Sequence, residues 1–316
     1  MHALVTGAAG FVGSHLAKRL RDEGYDVIGV DSFTDYYDIA LKRANAEAAI
    51  RAGVRFIDGD LNVVDLDSML DGVDVIFHNA GQPGVRSSWG SDFSTYTYGN
   101  IETTQQLLEA SRGSRTLQRF VYASSSSVYG NAKRYPTSEN DLPQPISPYG
   151  VTKLAAEHLC SVYATSFEVP TVSLRYFTVY GPGQRPDMAF TRFALAAVRG
   201  DEITVFGSGE QVRDFTFVDD VVEANLLAAT REVSPGTVLN VAGGSNTSVN
   251  EVLQVFEELA GTRLAINRVQ AVAGDVDRTG GDTAAIRSAL GWQPAVGLRD
   301  GIGRQFDWAA KLAASS

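Results

Sequence analysis

Three glycines in Thr6-Gly-Ala-Ala-Gly-Phe-Val-Gly13 constrain this chain more than any other feature. They follow an apolar run, His2–Thr6, that reads as a strand, and they open a helical pattern over Phe11–Glu23 that stops at Gly24. Gly7, Gly10 and Gly13 permit a tight turn, close approach of backbone to a phosphate, and close packing of helix on strand. The helix N-terminus at Phe11 then faces a pyrophosphate. Three glycines alone say little, but strand, turn and helix follow in the required order. Asp31 lies 18 residues after Gly13, at the end of the next strand, Tyr25–Asp31. A carboxylate there accepts hydrogen bonds from an adenosine ribose and repels a 2′-phosphate, so the pair favours NAD over NADP.

Further short β-rich runs follow at Val54–Asp58, Val73–His78, Arg119–Ser124 and Thr171–Phe177. Helical patterns lie between them, notably Thr95–Arg112 and Tyr149–Phe167. Such alternation predicts an α/β fold, a doubly wound parallel sheet of the Rossmann type with helices on both faces. Residues 1–177 read as the dinucleotide-binding domain. Residues 178–316 read mainly as a smaller, interleaved α/β substrate lobe, with Thr237–Val241 returning to the main sheet and about 215–243 rejoining the first domain. Helices are expected near Met188–Arg199, Val218–Thr230 and Val249–Ala260, the last capped by Ser248. Asp60-Leu61 after the third strand can hold adenine, and Asn79-Ala80-Gly81 after the fourth can lie along the cofactor, with Asn100 on the helix beyond. Taken singly, these stretches read equally as plain turns.

Tyr149 and Lys153, four residues apart, share one helix face. A free phenol titrates near 10, and moving it down by about 3 pH units takes about 4 kcal/mol of differential stabilisation. Lys153 and an oxidised nicotinamide ring can supply that together. An isolated pair at this spacing is more often a surface tyrosine beside a solvated lysine; the glycine turn changes the odds.

Composition narrows the class. The net charge is −10, with 20% charged and 44% hydrophobic residues among 316, which argues against a nucleic-acid or membrane-surface binder. Cys160 is the lone cysteine, so no intrachain disulfide forms, and no Cys/His cluster suggests a metal. His2, His15, His78 and His158 are scattered and read as structural, His78 nearest the cleft. Met1 leads almost at once into the first strand, leaving no room for a signal peptide, and no apolar run reaches membrane-spanning length. A cytoplasmic enzyme is expected.

The glycine turn, Ser124-Ser-Ser-Ser-Val-Tyr-Gly130, Tyr149/Lys153 and Arg175-Tyr-Phe-Thr-Val-Tyr-Gly-Pro182 stand together. With Gly209-Glu-Gln-Val-Arg-Asp-Phe-Thr-Phe-Val-Asp219 and Gly274-Asp-Val-Asp-Arg278, the chain resembles the extended short-chain dehydrogenase/reductases over nearly its whole length. Among these it is nearest the nucleotide-sugar epimerases. The resemblance implies Ser125, Tyr149 and Lys153 as a catalytic triad with NAD as cofactor. It also implies a homodimer formed through Thr95–Arg112 and Tyr149–Phe167. Dehydratases of this family carry Asp-Glu at the two positions after the triad serine, and uronate decarboxylases carry Glu at the second. Here they are Ser126 and Ser127, poor acids and bases, which points to C4 epimerisation.

Galactose-type epimerases usually read Tyr-Phe-Asn where this chain has Thr178. Gln184-Arg-Pro-Asp-Met-Ala-Phe190 and Gln82-Pro-Gly-Val-Arg-Ser87 look like segments of UDP-glucuronate 4-epimerases. The implied substrate is a UDP-hexuronic acid. Ser126, Ser127 and Thr178 offer hydroxyl donors and Arg185 a cation to its carboxylate. Arg86, with Ser87, Arg213 and Arg278, is left for the diphosphate or its surroundings; any one of these arginines could equally be a surface ion pair. The competing readings are a neutral UDP-hexose 4-epimerase, a decarboxylase or dehydratase, and a catalytically silent NAD-binding sensor.

Overall fold

The computed structural model describes residues 1–270 and 276–315. Its centre is a seven-stranded, all-parallel sheet built from β1 (His2–Thr6), β2 (Asp26–Asp31), β3 (Arg55–Asp58), β4 (Val75–His78), β5 (Arg119–Ser125), β6 (Thr171–Tyr176) and β7 (Thr237–Val241). The order is β7-β6-β5-β4-β1-β2-β3. From β1 the chain winds outward through β2 and β3, then crosses back to β4 on the other side of β1. The carboxyl ends of β1 and β4 therefore flank the point where winding direction reverses, where such sheets open a crevice. Ala3, Leu4 and Val5 are fully buried, which is why β1 reads as an unbroken apolar run rather than an alternating one.

Helix α1 (Phe11–Asp22) starts immediately after the glycine turn and presents Leu16, Ala17 and Leu20 to the core. Gly7 has φ +67°, a left-handed conformation that glycine adopts without strain. A Cβ on Gly13 would sit 2.1 Å from the Gly7 carbonyl oxygen, so helix and turn touch backbone to backbone. Helix α2 (Ile39–Arg51), not singled out from the sequence, follows β2 and covers the sheet with Ala46 and Ala49.

The expected helix Thr95–Arg112 is interrupted. Phe93–Tyr96 and Thr103–Ser111 are α-helical, but Thr97–Glu102 is a π-turn. Its cause is tertiary. Asn100 turns inward, its Oδ1 accepting from the Gln82 amide at 2.7 Å and its Nδ2 donating to the Gln82 carbonyl at 3.1 Å and to Thr152 Oγ1 at 2.9 Å. The second long helix, α3, runs Pro148–Phe167, with proline at its first position and Ser147 Oγ accepting from Gly150 N at 3.1 Å. His78 is a core residue rather than a cleft residue: it bridges Thr6 Oγ1 at 2.8 Å and Thr104 Oγ1 at 2.9 Å, and burial drives its titration down to about 3.

After β6 the chain leaves the sheet, returns as β7 beside β6, and leaves again. The smaller lobe packs around Tyr180, Phe190, Phe193, Phe215, Phe217 and Phe256. Its helices Ala189–Arg199, Val218–Thr230 and Val249–Ala260 lie where the periodicity puts them, and Ser248 caps the last in a reciprocal capping box with Glu251. Short ladders pair Ile203–Phe206 with Ile266–Val269 and Val212–Arg213 with Thr247–Ser248. A terminal helix, Leu298–Ser315, carries no motif that announces it in the sequence.

Because the contact at Gly13 is backbone on backbone, Gly13→Ala is expected to cost roughly 1–3 kcal/mol. A urea unfolding midpoint unchanged by this substitution would show that the turn can yield.

Candidate active site

A cleft of about 810 Å³ runs along the carboxyl ends of the strands and under the smaller lobe. The sequence-derived cofactor residues meet here: Gly7, Gly10, Phe11, Gly13, Asp31, Asp60, Leu61, Asn79, Ala80, Gly81 and Asn100 all line it. The first turn of α1 carries no acidic residue and no side-chain cap, so its amide groups keep their capacity to bind an anion. Asp31 Oδ2 accepts from Ala9 N at 3.1 Å and Oδ1 from Phe33 N at 2.9 Å, which holds the carboxylate at the end of β2. Asn79 Oδ1 is buried on the cleft wall and accepts no hydrogen bond from the described residues. A glycine-lined turn, an uncapped helix start and a spare buried acceptor fit an extended dinucleotide.

Ser125 ends β5 and is buried; its Oγ accepts from Ser127 N at 3.1 Å, which starts the short turn Ser126–Val128. Tyr149 and Lys153 project from the first turns of α3 into the same cleft. Burial pushes the Tyr149 phenol up, opposed by its hydrogen bond to Ser125 and by the charge of Arg185. Burial also brings the Lys153 ammonium down to about 8, opposed by Cys160 and Glu157. Lys153 Nζ lies 4.6 Å from the centre of the Tyr122 ring. Within the protein, then, the dominant influence on Tyr149 is burial, and it runs against ionisation.

Ser126, Ser127 and Thr178 line the cleft beside the triad, with no acid among them. Arg185 is bidentate to Asp187, with Nε and NH2 each 2.9 Å from a carboxylate oxygen. Ser87 lies between Tyr36 and Tyr96, its Oγ 3.1 Å and 2.8 Å from their hydroxyls. Arg86 stacks 4.1 Å from the centre of the Phe206 ring. Arg213 and Arg278 do not line the cleft. The bridge between Val212 and Arg278 brings them side by side, with the Arg278 guanidinium over Tyr135 at 5.2 Å. Of the Gly274–Arg278 motif, Gly274 and Asp275 lie outside the described residues. Tyr36, Tyr37, Lys42, Arg192 and Gln211 also line the cleft. Gln211 falls within the Gly209–Asp219 motif; the other four were not singled out from the sequence.

Parallel strands wound outward from a glycine turn, with a tyrosine and a lysine one helical turn apart over the crevice, define a short-chain dehydrogenase/reductase architecture. The chain belongs to the NAD dependent epimerase/dehydratase family, which it matches over residues 3–242. It is 43% identical over 314 residues to the uncharacterized UDP-glucose epimerase YtcB of Bacillus subtilis, covering 99% of each chain. UDP-glucuronic acid 4-epimerase from Bacillus cereus, solved with UDP-glucuronic acid and NAD, superposes with a TM-score of 0.95 at 42% identity over 99% of this chain and 100% of that one. The Y149F mutant of that enzyme, bound to UDP-4-deoxy-4-fluoro-glucuronic acid and NAD, gives 0.96 at 41% identity over the same shares.

The buried ammonium has a measurable consequence. An unfolded lysine keeps its proton to about pH 10.5, whereas Lys153 in the folded chain releases it near 8. Between these limits the unfolded chain holds more protons, so this group makes stability rise with pH across that window and opposes folding by roughly 3 kcal/mol below it. Without nucleotide, Lys153→Met is expected to melt no lower than the unsubstituted chain at pH 7, and any advantage should shrink as pH climbs from 8 towards 10.5. A variant that melts well below it at pH 7 contradicts this.

Proposed function

We propose that the chain interconverts the C4 epimers of a UDP-hexuronic acid, UDP-glucuronate and UDP-galacturonate, using NAD. The observation that carries the reading is the cleft wall itself: Ser125, Tyr149 and Lys153 stand beside Ser126, Ser127 and Thr178, a triad flanked by neutral hydroxyls instead of acids.

In this reading the UDP-sugar lies with its 4-hydroxyl between Ser125 and Tyr149. Ser125 hydrogen-bonds the oxygen, and Tyr149 removes its proton as C4 is oxidised. Gly7, Gly10, Gly13, Asp31 and Asn79 would hold NAD, which would supply a hydride acceptor and donor for C4 and, when oxidised, a positive ring near the phenol. Lys153, on the same helix face, adds positive charge beside that of Arg185, which already opposes the burial that disfavours phenolate. The 4-keto sugar turns over in the cleft, so that hydride would return to the opposite face of C4 while Tyr149 gives the proton back to the C4 oxygen.

Oxidation at C4 makes the uronate a β-keto acid, prone to losing CO2. Ser126, Ser127 and Thr178 hydrogen-bond the carboxylate and hold the C5–carboxylate bond away from alignment with the keto group, the geometry that loss requires. Arg185 approaches already balanced by Asp187, so it contributes orientation more than net charge. Arg86 serves the diphosphate side of the cleft. Arg213 and Arg278, on the neighbouring ledge, serve the surroundings of that diphosphate.

The second reading, a UDP-glucose 4-epimerase, is favoured by the name of the Bacillus subtilis relative. Incubation with UDP-glucuronate or UDP-glucose, followed by proton NMR and CO2 assay, separates the two. Epimer from the uronate alone is expected, with turnover falling by about 10²–10⁴-fold in Tyr149→Phe while NAD stays bound. Full activity in that variant, or turnover of UDP-glucose alone, overturns the reading. In the same assay Thr178→Ala and Ser127→Ala are expected to release UDP-pentose.

We further propose a cytosolic homodimer paired through α3 and the Phe93–Ser111 segment. No helix among the described residues is long and apolar enough to cross a membrane, and Cys160 is buried as a free thiol. Val151, Val162 and Phe167 on α3, with Phe93 on the shorter segment, are exposed apolar side chains that pairing would cover. Sedimentation should give twice the chain mass, and Val162→Asp should return it to one.

A further inference from the structure

Beneath the cleft, two opposite charges are sealed from water. Glu157 on α3 is 1% exposed and Arg175 on β6 is 4% exposed. Glu157 Oε1 accepts from Arg175 NH2 at 2.5 Å, and Oε2 accepts from Arg175 Nε at 2.9 Å and from Ser124 Oγ at 2.6 Å. Arg175 NH1 donates to Tyr129 Oη at 2.7 Å, and Tyr129 Oη donates to Asn240 Oδ1 at 2.7 Å. The chain of bonds thus runs from Ser124 on β5, through α3 and β6, to β7.

Each proposed catalytic residue is a short step from this network. Ser124 precedes Ser125 and stands opposite Arg175 in the β5–β6 register. Glu157 is one turn beyond Lys153 and two beyond Tyr149 on the same helix face. Tyr129 closes the turn that Ser125 begins. A buried ion pair is weak support for stability, because apolar side chains of similar volume often do as well or better. Its persistence here calls for a role in geometry.

We propose that Glu157 and Arg175 are positioning residues for the reaction, locking the end of β5 to α3 so that Ser125, Tyr149 and Lys153 keep their mutual placement. The carboxylate also acts on the lysine. Lys153 is faced by Tyr122 from β5, by His78 from β4, and by Glu157 and Cys160 on its own helix. His78 is neutral above about pH 3, and burial keeps the Tyr122 phenol and the Cys160 thiol protonated. Glu157, paired with Arg175, is then the one carboxylate among these groups, and it supports the protonated form of Lys153.

The proposal rests on the catalytic reading of Ser125, Tyr149 and Lys153, so Tyr149→Phe is run alongside as the control for that reading. Glu157→Gln keeps the shape and removes the charge. It is expected to lower kcat by about tenfold to a hundredfold, leave KM for the UDP-sugar little changed, and move the alkaline limb of the pH profile to lower pH, since Lys153 loses its supporting anion. Glu157→Leu with Arg175→Met removes both charges without leaving either unpaired; its thermal midpoint should return close to that of the unsubstituted chain, while kcat stays low. Ser124→Ala, which cuts only the tie to β5, should lower kcat several-fold with KM unchanged and melting only modestly lower, and it decides alone if the Glu157 variants do not fold. A Glu157→Gln enzyme with unaltered kcat and alkaline limb overturns the proposal, as does a double variant at full kcat or a Ser124→Ala enzyme indistinguishable from the original. If Tyr149→Phe is inactive while these variants are not, only the positioning role falls; if Tyr149→Phe is active, the catalytic reading falls first.

Discussion

Everything in this molecule is referred to one place where backbones meet with no side chain between them. A Cβ on Gly7 would lie 2.9 Å from the Ala80 amide nitrogen, and one on Gly13 would lie 2.1 Å from the Gly7 carbonyl oxygen. Strand β1, helix α1 and the loop after β4 therefore converge on a single turn. That convergence sits where the winding of the sheet reverses, so the start of α1 and the carboxyl ends of the central strands open on the same crevice. The core supports this arrangement from below, with β1 buried on both faces. The cleft is thus a by-product of how the sheet is wound.

Charge follows a separate logic. A chain of net charge −10 repels anions at long range, so recognition of a nucleotide sugar depends on short-range donors and a few cations set in the wall. Arg86 is held over Phe206, and Arg185 enters the cleft already paired with Asp187. The hydroxyls of Ser126, Ser127 and Thr178 add donors without adding charge. Such a wall can hold a carboxylate without binding it so firmly that the sugar cannot turn.

What could be read beforehand was local. Tyr149 and Lys153 were legible because helical spacing alone puts them on one face, and the glycine turn because strand, turn and helix are consecutive. Unbroken apolar runs gave away the inner strands for the same reason. What escaped depends on contacts distant in the chain. The π-turn at Thr97–Glu102 exists because Asn100 bonds to Gln82, 18 residues earlier. The pairing of Arg175 with Glu157 joins a motif read as a strand to one read as a catalytic helix, and nothing in either segment names the partner. Arg213 and Arg278 carry matching motifs, yet where their loops lie relative to the cleft follows from the path of the smaller lobe. Tyr36 and Arg192 were missed because no local pattern distinguishes a cleft-facing side chain in a loop or on an amphipathic helix.

The return of the chain as β7 bears on how the molecule tolerates being cut. β6 is paired on both sides, with β5 and with β7, although β7 arrives 61 residues after Tyr176 in the chain. A fragment ending at Phe177 would leave the β7-facing amides and carbonyls of β6 unpaired and open to a second copy of itself. It would also remove Asn240, the last partner of the hydrogen-bond chain that begins at Ser124. The nucleotide-binding half is complete in motif but incomplete as a sheet. The part of the smaller lobe between β6 and β7 is thus tethered at both ends to the same sheet, which ties the integrity of one half to the presence of the other.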